Sequence, residues 1–147
     1  MTAAGPTAPS SGSPVTPDWD QAVGTLRGAG AAGTTVGLIA HVNPDSDSLG
    51  SALALGLALR DLGATPYVSF DGEPFHIPES LEFMPGQELL VPPDKLPEPL
   101  PVAVTLDVGS PGRLGRLAAC LDTAATTIVV DHHRAGVPFG SARVIDP

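Results

Sequence analysis

Nowhere in its 147 residues does this chain carry an apolar run of the length a bilayer span needs, about eighteen residues or more. No membrane helix is therefore expected. The start, MTAAGPTAPSSGSPVTP, lacks both a basic residue and an apolar core, so it does not read as a secretory signal. A cytoplasmic location follows by default. Cysteine is nearly absent: Cys120 stands alone, which excludes an internal disulfide and fits a reducing compartment. It lies in the apolar stretch Leu117 to Leu121 and is expected to be a buried, inert thiol. Cations are scarce as well. Seven Lys and Arg face sixteen Asp and Glu, a formal charge of −9. Tight, sequence-independent binding of long duplex DNA relies on many cationic contacts, so the charge argues against it. An acidic chain can still act on phosphates if bound metal ions reverse the local sign.

What is present falls into two parts. Residues Met1 to Pro17 are Ala, Pro, Ser, Thr and Gly with little that is large and apolar. Such a segment cannot bury enough surface to offset its ordering entropy, and it reads as a disordered tail. Residues 18–147 read as one domain. Asp18 is a candidate cap for a helix in which Trp19, Ala22, Val23 and Leu26 recur at helical spacing, ended by the glycines from Gly28 to Gly33. Thr35 to Ala40 (TVGLIA) reads as a strand buried on both faces. The polar loop His41 to Asp47 follows, then an Ala/Leu-rich helix over Ser48 to Leu62, then a strand over Thr65 to Phe70. Between Ile77 and Phe83 the pattern allows one or two helical turns, and Leu89 to Val91 a short strand. Pro92 to Pro101 holds five prolines and should be a loop. Strands are expected at Val102 to Leu106 and Thr126 to Val130, a helix at Leu114 to Leu121, and the start of another strand at Ala142 to Ile145. Strands alternating with helices imply an α/β fold with a mostly parallel sheet flanked by helices. Ligands of such sheets collect at the carboxyl ends of the strands.

Three buried strands deliver acidic or imidazole groups to that edge. After TVGLIA come His41, Asp45 and Asp47; after VAVTL comes Asp107; after TTIVV come Asp131, His132 and His133. Carboxylates and imidazoles without a thiol suit a hard or borderline divalent ion rather than structural zinc. The ligands are too many for one ion. Asp45, Asp47, Asp107 and Asp131 brought together repel strongly if all are ionised, and two divalent ions would cancel that charge. A carboxylate such as Asp107 can bridge ions roughly 3.5–4 Å apart. Pro44 biases Asn43 toward an extended backbone, and Asp45 and Asp47 are then offered with one residue between them. Each could face a different ion.

With these residues in place, HVNPDSDSLGS resembles the first motif of the DHH phosphoesterase superfamily, H-x-x-P-D-x-D-x-x-G-S. TLDVGSPGRLG resembles the second, and VVDHH the third. The resemblance covers roughly Val36 to Pro147. Within the superfamily, LDVGSPGRLG and SARVIDP are most similar to the branch of bifunctional oligoribonucleases and 3′-phosphoadenosine 5′-phosphate phosphatases. That resemblance implies two divalent ions, Mn²⁺ ahead of Mg²⁺ or Co²⁺. His41, Asp45 and Asp107 would hold one ion. Asp47, Asp107 and His132 would hold the other. Asp131 would orient a neighbouring imidazole or assist the metal shell, and His133 would contact the scissile phosphate. Asp107, Asp131, His132 and His133 thus form the expected catalytic set, with His133 and Arg113 as substrate contacts.

Two departures accompany the match. Ser46 stands where this branch usually has Gly, which raises the question of a strained backbone. The family also usually carries a fourth motif with another metal-binding Asp, and a second domain with a Gly-rich, His-containing substrate-binding segment. Neither is in this sequence, so an incomplete DHH domain is expected. Its expected activity is hydrolysis of short oligoribonucleotides or phosphoadenosine phosphate. The alternatives are an inactive or partner-dependent domain that binds metal or nucleotide, a cyclic-dinucleotide phosphodiesterase, a single-strand exonuclease or an inorganic pyrophosphatase. Homodimerisation, or association with a missing C-terminal domain, would cover apolar surface left exposed. Taken singly, Asp-x-Asp is more often a solvated turn, Asp107 a helix cap and His41 a satisfied polar residue. Their convergence after three buried strands is what favours a site. His76 follows no strand and reads as a surface loop residue.

Overall fold

The computed structural model describes residues 16–147, so the tail expected at Met1 to Pro17 lies almost wholly outside the described residues. Five runs rich in Val, Ile and Thr form one sheet: β1 (Thr35–Ile39), β2 (Thr65–Ser69), β3 (Val102–Leu106), β4 (Thr126–Asp131) and β5 (Ala142–Ile145). All pairs are parallel, in the order β2-β1-β3-β4-β5. The chain thus reverses its direction of winding between β1 and β3. In open parallel sheets, the crevice at such a switch point is where ligands bind.

Helices α1 (Trp19–Ala32) and α2 (Ser46–Asp61) cover one face. Ala22 and Ala29 of α1 and Leu49, Leu53 and Leu59 of α2 join Val36, Leu38, Val68, Val104, Ile128 and Val144 in the main core. The other face is covered by a second core. Ile39 and Ala103 meet Leu96, Leu100, Val108, Leu114, Leu117 and Cys120 there. Fully burying one such Val, Leu or Ile contributes about 1.5–3 kcal/mol, so the central strands β1 and β3 are held rigidly from both sides. No described helix is long and apolar enough to cross a membrane.

Several boundaries differ from the sequence expectation, each for a physical reason. In α1, Trp19 and Val23 are exposed, and the buried positions are Ala22, Ala29 and Gly30. Gly28 and Gly30 lie inside the helix. A Cβ on Gly30 would sit 2.8 Å from the Leu62 carbonyl oxygen, so glycine lets α1 cross the end of α2. Asp18 does not cap α1 with its side chain; its Oδ2 accepts from Arg143 N at 3.0 Å and ties the helix start to β5. Helix α2 begins at Ser46 rather than Ser48, because the Asp45 carboxylate caps it. Asn43 is not extended but left-handed, with φ 50°. A following proline disfavours only the right-handed helical region, and asparagine tolerates the left-handed one. The Leu89 to Val91 strand shrinks to a single bridge between Leu90 and Val68. The region Ile77 to Phe83 holds one 3₁₀ turn, Glu79–Leu81, and another, Pro93–Lys95, lies in the proline-rich loop. Finally, the helix expected at Leu114 to Leu121 is broken. Pro111–Leu117 is 3₁₀ with Gly115 at φ 58°, ψ −133°, and only α3 (Ala118–Thr123) is α-helical.

Candidate metal centre

Strand β1 ends at Ile39, and His41 follows two residues later, 5% exposed. Its Nδ1 lies 2.8 Å from the Val42 carbonyl oxygen. A carbonyl only accepts, so Nδ1 carries the proton and Nε2 presents its lone pair. That Nε2 lies 3.7 Å from Asp45 Oδ1 and 3.5 Å from Asp107 Oδ2. The Val42 amide donates to the Arg113 carbonyl at 2.8 Å, so the peptide that orients His41 is itself held from outside the loop.

Asp45 performs two tasks. Its Oδ1 accepts from the amides of Asp47 at 3.1 Å and Ser48 at 3.0 Å, capping α2. The Ser48 amide bond chiefly, with the His41 ring contributing, holds its carboxyl below the usual range. Ser46 is the first residue of α2 and exposed, without a left-handed backbone, so the residue that replaces glycine here is accommodated without strain. Asp47 lies in the first helical turn rather than in a loop, with its Oδ2 3.4 Å from His132 Nε2.

Asp107 follows directly on β3, and its amide still donates to the Val130 carbonyl at 2.9 Å. Its φ is +60°, a conformation that costs a non-glycine residue free energy and that persists only where the surroundings impose it. The turn brings its two oxygens to different partners. Oδ2 faces His41 at 3.5 Å, while Oδ1 lies 3.1 Å from His132 Nε2 and 3.6 Å from His133 Nδ1. Asp131 is the last residue of β4, buried, with Oδ1 2.6 Å from His133 Nδ1. That bond, reinforced by the charge of Asp131, raises the His133 pKa above its ordinary value; the Arg113 guanidinium opposes it.

His41, Asp45, Asp47, Asp107, Asp131, His132 and His133 are thus brought together. Two groups have ligand atoms mutually within 4.8 Å: His41, Asp45 and Asp107, and Asp107, Asp131, His132 and His133. Asp107 belongs to both. The donors are oxygens and imidazole nitrogens with an excess of carboxylate, which fits hard or borderline divalent ions. Arg113 is exposed beside this cluster and contributes its backbone carbonyl as well as its nearby guanidinium. His76 is exposed, its Nδ1 2.9 Å from Pro74 O, and it belongs to neither group. Cys120 is buried, and burial together with the Glu98 carboxylate pushes its thiol up to about 12, an inert group.

The family-level sequence model of the DHH family, N-terminal domain, matches residues 35–147. The chain belongs to the DHH family. Its DHH domain is 36% identical over 108 residues to a bifunctional oligoribonuclease and PAP phosphatase, NrnA, of Thermus thermophilus. That match spans 73% of this chain and 30% of the relative, so the matched part is under a third of the relative's length. Among solved structures, an exopolyphosphatase-related protein of Bacteroides fragilis superposes with a TM-score of 0.72 at 22% identity, over 86% of this chain and 38% of that one. This likeness shows that the DHH domain has the same fold.

Sequence reasoning missed two features near the site. One is Asp71, just beyond β2, whose carboxylate anchors the Pro111–Leu117 turn through Arg116. No motif marks it; the only available signal was a glycine, Gly115, inside an otherwise helical pattern. The other is a mostly apolar cavity of about 300 Å³ bordered by Asp131, His133, Arg134, Val137 and Phe139. It forms because the loop after His133 folds back, with Val137 N donating to the Gly109 carbonyl at 3.0 Å.

Proposed function

We propose that this DHH domain binds two divalent metal ions, Mn²⁺ foremost, and that it hydrolyses phosphate esters in short oligoribonucleotides or 3′-phosphoadenosine 5′-phosphate. The observation that carries the reading is Asp107, whose two oxygens face two separate groups of ligands. On this reading His41, Asp45 and Asp107 hold one ion, and Asp47, Asp107 and His132 the other. When bound, such a pair supplies Lewis acidity, lowering the pKa of a water and countering charge on the phosphoryl oxygens.

The chain's own residues then have defined tasks. The bond to Val42 O fixes the His41 tautomer and keeps Nε2 free to ligate. Asp131 grips His133 Nδ1 and favours the imidazolium, whose Nε2–H can donate to a phosphoryl oxygen. Arg113 adds a second cation for the phosphate. The water oxygen bonds to phosphorus in line as the water loses a proton, the ester P–O bond breaks, and the proton gained by the departing oxygen balances the one the water lost. The Thermus relative, named for oligoribonuclease and PAP phosphatase activities, supports this substrate class.

The test is Mn²⁺-dependent release of AMP from a short RNA dinucleotide and from phosphoadenosine phosphate. Wild-type chain should release AMP and Asp107→Asn should not; undiminished release by the variant contradicts the role of Asp107. The match spans 30% of the relative's length, so the activities in its name belong to a longer protein, and a second reading stands beside the first. In it, metal and nucleotide bind here but turnover needs a further substrate-binding domain. Mn²⁺ binding without AMP release, restored when such a domain is joined, selects that reading.

A further inference from the structure

We infer that Asp71 is a positioning residue for the metal centre, acting through the Pro111–Leu117 turn on the peptide that orients His41. The inference rests on His41 being a metal ligand, as proposed above. Asp71 lies at the carboxyl end of β2, and its side chain is only 16% exposed. Its Oδ2 accepts from the Arg116 amide at 2.7 Å and its Oδ1 from Arg116 Nε at 2.8 Å. Arg116 Nη2 also reaches Glu73 Oε2 at 3.2 Å. Chiefly the Arg116 amide, and then its guanidinium, holds the Asp71 carboxyl below the usual range.

Gly115 shows that this contact shapes the turn. Its backbone, at φ 58° and ψ −133°, departs from the helical values on either side, and a Cβ there would collide with the Asp71 carboxylate. The carboxylate therefore occupies the space that a regular helix with ordinary side chains would need. It turns the Arg116 amide toward itself.

The same turn is fixed at two more points. Leu114 is fully buried in the second core, and the Arg113 carbonyl accepts the Val42 amide at 2.8 Å. Val42 in turn accepts His41 Nδ1 through its own carbonyl. A continuous path thus runs from Asp71 through Arg116, Gly115 and Arg113 to the Val42 peptide and the His41 ring. Losing the anchor frees the turn to relax toward helical geometry, which withdraws the Arg113 carbonyl from Val42 and loosens the imidazole. Partners that orient a metal-binding histidine typically affect affinity by about 10- to 100-fold. Asp71 acts through two further hydrogen bonds, Arg116 N to Asp71 and Val42 N to Arg113 O, so no more than the lower figure is expected.

The experiment measures Mn²⁺ affinity by calorimetry and hydrogen exchange of the Val42 amide by NMR. The proteins are wild type, Asp71→Ala, Asp71→Asn, Arg116→Ala and the Asp71→Ala/Arg116→Ala pair. Arg60→Ala, which breaks the surface pair with Glu88, serves as a matched control. Asp71→Ala should weaken Mn²⁺ binding about ten-fold and speed Val42 exchange by a similar factor. Arg116→Ala should do less, because its amide still reaches Asp71. The double variant should resemble Asp71→Ala alone rather than the product of both. Asp71→Asn, which keeps an acceptor for the Arg116 amide, should recover part of the loss, and Arg60→Ala should change neither reading. A lower melting temperature in Asp71→Ala with unchanged Mn²⁺ affinity and unchanged Val42 exchange would overturn the inference. Absence of Mn²⁺ binding by wild type would instead remove the metal reading, and Val42 exchange would still decide whether the path exists.

Discussion

Asp71 and Asp107 both lie at the carboxyl end of the same sheet and are both largely shielded from water, yet their charges are met differently. Asp71 is held by a guanidinium and a backbone amide of Arg116. Asp107 is faced by His41, His132 and His133 and, among the described residues, by no Lys or Arg within salt-bridge distance. Asp45, Asp47 and Asp131 stand around it, and among the described residues the only groups within salt-bridge distance of them are imidazoles. The protein thus completes one carboxylate site with its own cation, while on the proposed reading the other is completed by a cation from solution. Asp107 also adopts a left-handed backbone that its neighbours impose, whereas the left-handed residue beside Asp71 is a glycine, Gly115. Strain is accepted where a metal is expected and avoided where the contact is structural.

The largest effect should come from Asp107→Asn. Asparagine keeps the shape and tolerates the left-handed backbone, so the loss isolates charge. Hydrolysis in Mn²⁺ should fall roughly 10³-fold, the equivalent of several kcal/mol of charge stabilisation. The metal-free protein at pH 8 should nevertheless melt a few degrees higher, because one member of a repelling cluster is gone. At the other carboxylate the sign should reverse, with Asp71→Asn lowering the melting temperature. Gly115→Ala comes next. Its backbone strain and the collision with Asp71 should destabilise the fold by about 2 kcal/mol, read from urea unfolding.

The smallest effect concerns acid. Asp71 has its folded pKa lowered, so its contribution is present above the unfolded value of about 3.9 and is lost as pH falls through the lower folded value. Asp71→Asn should therefore flatten the stability curve below about pH 4. An unchanged acid limb would place the stabilising charge elsewhere.

How much of this could be read from the sequence follows from range. Strands β1, β3 and β4 announced themselves because runs such as VAVTL are buried on both faces and need no partner to be recognised. The residues after each strand were legible for the same reason: a parallel sheet carries them all to one edge. Local chemistry that competes with periodicity was not legible. The start of α2 moved because Asp45 supplies a cap, which placed Asp47 on the helix. The helix over Leu114 to Leu121 failed because Asp71, more than forty residues earlier in the chain, claims the Arg116 amide. The left-handed turns at Asn43 and Asp107 carry no glycine to betray them.

Manganese stoichiometry, read together with the electron paramagnetic resonance spectrum, tests the central claim most directly. If Asp107 joins two ligand groups, wild type should bind two Mn²⁺ per chain with a spectrum showing coupling between them, and Asp107→Asn should lose that coupling. One uncoupled Mn²⁺ in both proteins, bound with equal affinity, would contradict a shared carboxylate.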